Sequence, residues 1–201
     1  VKYEWVQNEA YGQGIYTSAA ARLRVGEGVT PGQNIATFHF TRREKNPSLC
    51  SPDVFPDLVL TATSTGVGVM VEYGIYGKKA RVNDSHSEYQ FFHFNERLAE
   101  LKRTEEWPRI YVLDWVFTER PACGGAWVGA KRVQAGCATL IGHYDEYQRE
   151  RRWDSDGGGD EPFGESAEHE ITVYSMFGKD TATADIRTAL AEYKKVLRER
   201  R

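Results

Sequence analysis

Four residues of this 201-residue chain, His86, Glu88, Cys123 and Cys137, are of the types that hold a metal ion and move protons beside it. The first two stand one residue apart in "NDSHSEYQFFHFNERLAELKR", residues 83 to 103, at the start of a predicted helix. On that stretch alone the plain reading is a helix start: Asp84 or Ser85 caps it, Glu88 favours its positive end, and His86 lies on the surface. The cysteines change the reading. Cys123 follows a predicted buried strand and Cys137 opens a helix, where unpaired N–H groups and the helix dipole favour thiolate, the form that binds metal. A borderline-soft ion such as Zn²⁺ takes imidazole nitrogen and thiolate sulfur, and a catalytic site keeps three protein ligands with the fourth position open to water. His86, Cys123 and Cys137 supply one nitrogen and two sulfurs. Glu88 is then placed to take a proton from a water whose pKa Zn²⁺ lowers to about 7, and to pass it to a substrate. Cys50, in a proline-rich loop, and His143, in the helix after Cys137, remain spare candidates, read by default as a free thiol and a surface histidine. His93 reads as a core or boundary residue.

The elements that must position these groups are visible as patterns. "NIATFHF", 34 to 40, is the first firm strand. "LVLTATS" and "GVMVEYGIYG" follow, and "KKARVND" pairs back as a hairpin through Gly77. From His86 to Arg103 the residues Tyr89, Phe92, Leu98 and Leu101, flanked by Phe91 and Phe94, approximate a helical stripe broad enough to lie on a sheet; Trp107-Pro108 ends it. "RIYVLDWVFTER", 109 to 120, is nearly continuous in strand formers, which predicts a central strand covered on both faces. A helix from Cys137 to Trp153, a flexible loop at 154–168, a strand in "HEITVYSMF" and a helix from 181 onward complete the chain. The alternation of sheet and helix predicts an α/β or α+β three-layer sandwich. Residues 1 to 34 offer a short helix at "SAAARLR" and no assignable task.

Length and cysteine content predict one domain with a real core and no disulfide framework, although a Cys123–Cys137 bridge stays open. No apolar run is long enough to cross a bilayer, and no signal segment stands at Val1; the valine start suggests a domain cut or processed from a longer protein. The formal charge of −3 argues against a generally basic nucleic-acid binder. Seven carboxylates, Asp154, Asp156, Asp160, Glu161, Glu165, Glu168 and Glu170, lie in one stretch without Lys or Arg, and leaving them out turns −3 into +4. The rest is mildly basic. Trp127, Tyr144, Tyr147 and Trp153, mixed with Lys131, Arg132, Arg149, Arg151 and Arg152, have the composition of a single-strand stacking groove, although core packing is the default for each ring taken singly. Asn83 and Ala122, which neighbour the candidate ligands, join Trp127, Tyr144, Arg149 and Trp153 as candidate substrate contacts.

H-x-E followed by P-C-x-x-C, with the glutamate as general acid and base, is the signature of zinc deaminases. The chain resembles that superfamily in order and context: "HSE" opening a helix, a hydrophobic strand with "TER" at its end, then cysteines leading into the next helix. It is most similar to the nucleic acid deaminase domains at the C-terminal ends of bacterial polymorphic toxins, some of which carry a glycine-rich insertion between the two cysteines. The resemblance spans about residues 67 to 180. It departs from the pattern in the thirteen residues "GGAWVGAKRVQAG" between Cys123 and Cys137, and in "PAC", which puts Ala122 where proline is expected. The resemblance implies a cytidine deaminase-like three-layer α/β/α sandwich with a mixed β-sheet and the site between two helices. It divides the single domain into an N-terminal extension or extra layer, 1–66, and a catalytic core, 67–201. It further implies a Zn²⁺ cofactor and hydrolytic conversion of cytosine to uracil in DNA, single strands favoured over duplex. The expected protein is a monomer with no membrane partner, opposed by a cognate immunity protein and delivered into a target cell as part of a secreted bacterial toxin. Deamination of RNA or of free nucleosides, and a structural-zinc interaction module, are the alternatives.

Overall fold

The computed structural model describes residues 1–42, 57–75, 77–101, 111–124, 136–154 and 170–200, without the side chains of 42, 95–101 and 150–154. The expectations for Cys50, Trp107-Pro108, Trp127, Lys131, Arg132, the side chains of Arg151, Arg152 and Trp153, and most of the 154–168 loop lie outside these residues. The described elements are β1 Lys2–Trp5, α1 Ser18–Glu27, β2 Ile35–Arg42, β3 Leu58–Thr63, β4 Met70–Ile75, β5 Lys78–Asn83, α2 Ser87–Leu101, β6 Tyr111–Thr118, α3 Cys137–Asp154, β7 Thr172–Ser175 and α4 Ala182–Glu199. The protein is α/β, with four described helices and a five-stranded mixed sheet of order β1-β7-β6-β2-β3. The pairs β1·β7 and β7·β6 are parallel, and β6·β2 and β2·β3 antiparallel. β4 and β5 form a separate hairpin that turns at Gly77, whose φ of 82° suits a residue without a Cβ. Among the described residues no helix is long and apolar enough to cross a membrane.

β6 is the middle strand, and its near-continuous apolar run fits burial on both faces. Alternation along β2 sends Ala36, Phe38 and Phe40 into the larger core, with Phe91 and Phe92 of α2 and Leu140, Ile141, Tyr144 and Tyr147 of α3. Phe38 stacks on Phe91 with ring centroids 3.5 Å apart. Ile35 joins the opposite face with Ala20 of α1 and Phe117. β6 keeps pace with β2 only through a bulge: Phe40 pairs with Leu113 and His39 with Trp115, so Asp114 is passed over. Tyr111 and Leu113 therefore share a face with Val116, and Trp115 and Phe117 take the other. Carried to the strand end, the same alternation sends Thr118 to the α2 and α3 face and Glu119 to the α1 face.

Glu119 is buried there in a network of its own. Arg24 of α1, also buried, donates from Nε to Glu119 Oε1 at 2.7 Å and from Nη2 to Oε2, while the Tyr11 hydroxyl and the Ile35 amide donate to the same carboxylate. The remaining guanidinium donors reach the carbonyls of Val29, Thr30 and Gln33. Burial and the Glu119 charge push the Tyr11 hydroxyl well above its ordinary range.

Residues before 66 supply β1, β2 and β3, three of the five strands, together with α1. Phe94, expected beside the apolar stripe of α2, is exposed, because the helix buries the side carrying Phe91 and Phe92. Removing one partner of the Arg24–Glu119 pair leaves the other charged and buried, so Glu119→Ala should lower the unfolding free energy by about 3 to 5 kcal/mol in urea denaturation. Glu72→Ala, which breaks the exposed pair with Lys79, should leave the midpoint unchanged.

Candidate metal centre

His86 is delivered by the turn that links β5 to α2. Asn83 Oδ1 accepts from the Ser85 amide at 3.0 Å and the Ser85 hydroxyl at 2.7 Å, and the His86 amide donates to the Asn83 carbonyl at 3.2 Å. Asn83, expected at substrate, thus shapes the approach to the histidine through its carbonyl groups. The two cysteines meet although thirteen residues separate them. The Cys137 amide points at Cys123 Sγ at 3.2 Å, and the Ala138 amide donates to the Cys123 carbonyl at 3.2 Å. Gly136 makes this closeness possible, since a Cβ there would stand 2.5 Å from the Cys123 carbonyl oxygen. The insertion therefore leaves and returns at one point without displacing either sulfur.

His86 Nδ1 lies 3.2 Å from Cys123 Sγ and 3.3 Å from Cys137 Sγ, and the three donor atoms fall within 4.8 Å of one another. Both cysteines are free thiols, so the bridge between them is not formed. With zinc bonds of about 2.0 to 2.1 Å to nitrogen and about 2.3 Å to sulfur, a tetrahedral site has nitrogen–sulfur edges of roughly 3.5 Å. The donors stand a few tenths of an ångström inside that, so one nitrogen and two sulfurs can close on such an ion by small side-chain adjustments. The set fits a borderline-soft metal. His143, the spare candidate, lies apart on α3, half-buried, with burial lowering its pKa.

Electrostatics point the same way. Cys123 is held well below the ordinary thiol range, first by a hydrogen bond from the Cys137 thiol and then, against burial, by His86 and the Cys137 amide. Cys137 is pushed up by donating that hydrogen bond, by burial and by Glu88. His86 is raised chiefly by its hydrogen bond to Cys123. Burial pushes the Glu88 carboxyl up, and the Cys123 charge adds to it. Three acids thus crowd one imidazole, and a divalent cation is the group that would let all of them ionise together.

Glu88 is 3% exposed and lies outside the three-donor set. Its Oε2 accepts from the buried Ser87 hydroxyl at 3.0 Å, and Thr118 Oγ1 stands 3.3 Å from Oε1. Behind these hydroxyls Asn34 makes a bridge: its Nδ2 donates to Ser87 Oγ at 2.8 Å and to Thr118 Oγ1 at 2.9 Å, and its Oδ1 accepts the Arg120 amide at 3.1 Å. Sequence reasoning missed Asn34, Ser87 and Thr118. The local signal was polarity alone, Asn34 and Thr118 at the ends of two strand patterns and Ser87 at a helix start; the meeting of Asn34 with Thr118 depends on the β2·β6 register, which sets Ala36 opposite Thr118.

The remaining candidates are placed as follows. Ala122 is buried in the larger core beside the cysteines. Tyr144 is a core residue between Phe92, at 5.3 Å, and Tyr147, at 6.1 Å. Arg149 is exposed on α3 and pairs with Asp145 at 2.9 Å. Compared with known protein families, with curated proteins and with solved structures, the chain gives no match.

The purified chain should carry about one equivalent of zinc, held through deprotonated ligands and therefore released as pH falls. Cys137→Ala and Gly136→Val should each lower that content, the first by removing a sulfur and the second by forcing Cys123 away. Elemental analysis after dialysis reads both; a full equivalent in Cys137→Ala would remove Cys137 from the ligand set.

Proposed function

We propose that the chain is a zinc-dependent hydrolytic deaminase with the cytidine deaminase-like sandwich, converting cytosine to uracil in DNA and acting as a bacterial toxin domain with a cognate immunity protein. The observation that carries the reading is the buried Glu88 carboxylate, set beside a His/Cys/Cys donor group without belonging to it. Such a carboxylate suits proton transfer better than metal binding, and a raised pKa brings its acid and base forms closer to neutral pH. The order of the residues, H-x-E and then two cysteines, is that of the deaminases.

His86, Cys123 and Cys137 would hold the metal. When bound, Zn²⁺ makes water nucleophilic near neutral pH. Glu88 takes one proton of the water that adds at C4 of the base and hands it to N3, then takes the second from the resulting C4 hydroxyl and delivers it to the departing amine, which leaves as ammonia as the C4–N bond breaks and the C4=O bond forms. Ser87 and Thr118 orient the carboxylate, and Asn34 keeps both hydroxyls in place. The Thr118 hydroxyl has one proton to give, to Glu88 Oε1 at 3.3 Å or to the Arg120 carbonyl at 2.7 Å. A base stacked in a duplex is out of reach, so single strands are the favoured substrate, with base flipping required otherwise.

Glu88→Gln should keep zinc and lose turnover by at least about 10² to 10⁴. Because burial raises the folded-state pKa, ionisation of Glu88 works against folding at neutral pH, so the metal-free variant should melt no lower than the metal-free parent. Uracil formation in a single-stranded oligonucleotide, read by uracil excision and strand cleavage, should exceed that in matched RNA, duplex DNA and free cytidine, and should weaken as salt rises. Free cytidine turning over as fast as the oligonucleotide, without salt dependence, would replace the polynucleotide by a small-molecule substrate.

A further inference from the structure

β1 carries two charged and two aromatic residues, and the sheet register sorts them by face. Val173 of β7 belongs to the larger core, on the side of α2 and α3, and Tyr3 pairs with it directly. Ser175 pairs with Thr118 on one side and Trp5 on the other, so Thr118, Ser175 and Trp5 form one row across the sheet. Residues paired in register share a face, which places Tyr3 and Trp5 on the face of Thr118 and Glu88. Lys2 and Glu4 pair with Thr172 and Tyr174, and Tyr174 packs with Trp115 and Phe117 on the opposite face. With neighbouring strands about 4.8 Å apart, the Cα of Trp5 stands roughly 10 Å from that of Thr118.

Both rings are open to solvent, Trp5 at 53% and Tyr3 at 40%. An edge strand showing two aromatic rings on one face invites unwanted pairing unless that face has a use, because edges are ordinarily blunted with charge. Here the charges are all on the other side. Burial, and then the charges of Glu88 and Cys137, push the pKa of the Tyr3 hydroxyl up to about 12.

Building on the deaminase reading above, we propose that Tyr3 and Trp5 form an aromatic shelf that stacks the bases of a single-stranded polynucleotide next to the base presented to Glu88. Stacking tolerates any base and is worth about 5- to 150-fold in affinity per ring. It assigns β1 a task that no motif in its sequence announces.

The test uses the full zinc-loaded chain carrying Glu88→Gln, which binds without turnover, and a fluorescent cytosine-containing single-stranded oligonucleotide. Adding Trp5→Ala or Tyr3→Ala should raise Kd about 10-fold, whereas Trp5→Phe should stay near the parent, with zinc content and melting temperature unchanged in all three. In the otherwise native enzyme the alanine variants should raise KM for the oligonucleotide and leave turnover of free cytidine as it was. If Glu88→Gln binds the oligonucleotide and both alanine variants bind it within two-fold, the shelf is refuted while the deaminase reading stands. If Glu88→Gln binds no oligonucleotide at all, the polynucleotide reading fails and the shelf falls with it.

Discussion

A single bulge decides which side of the sheet does chemistry. β2 and β6 stay paired only because Asp114 is passed over between Leu113 and Trp115. Without the bulge, with Asp114 paired in its turn, strict alternation from Leu113 would turn Thr118 toward α1 and Glu119 toward the donor group. With it, Thr118 faces Glu88, and Glu119 faces Arg24 and Tyr11. The strand end is thereby clamped from behind: Glu119 binds the guanidinium and the Ile35 amide, while Arg24 holds the carbonyls of Val29, Thr30 and Gln33 that lead into β2. Asn34 stands at the close of that held segment and reaches through to the other face, to Ser87, Thr118 and Arg120. The buried ion pair and the candidate site are two sides of one anchored strand end.

On the site face the governing fact is charge. Cys123, Cys137 and Glu88 are acids packed around one imidazole, and burying an uncompensated ion costs several kcal/mol. The chain manages this by keeping Cys137 and Glu88 biased toward their neutral forms and letting Cys123 share charge with His86. A divalent ion reverses the balance, drawing both sulfurs to the ionised state and tying metal affinity to pH and to folding. Glu88 sits near enough to feel that charge yet is engaged by hydroxyls from Ser87 and Thr118, which argues for a carboxylate kept available for protons.

The parts of this arrangement that were legible in the sequence are those written in local pattern. The H-x-E helix start, a central apolar strand over 109–120, the Gly77 hairpin and a helix opening at Cys137 all follow from spacing and residue type, and the structure places each within a few residues of its expected bounds. The thirteen residues between the cysteines obscured their closeness, because sequence distance says nothing about where a loop returns; Gly136, with no room for a Cβ, was the available clue. Asn34 and the pairing of Arg24 with Glu119 depend on register between strands and on a helix packed far along the chain, neither of which has a local signature. β1 was unreadable for the same reason. Four residues at the front of the chain pair in parallel with residues 172–175, and only that pairing gives Tyr3 and Trp5 a common face with the site.

The most direct test of the account is the coordination shell of the zinc-loaded chain, measured by X-ray absorption at the zinc edge. An open centre built from His86, Cys123 and Cys137 predicts two sulfurs at about 2.3 Å, with one nitrogen and one further light atom at about 2.0 to 2.1 Å. A shell with fewer than two sulfurs, or with a third sulfur in the open position, would contradict it.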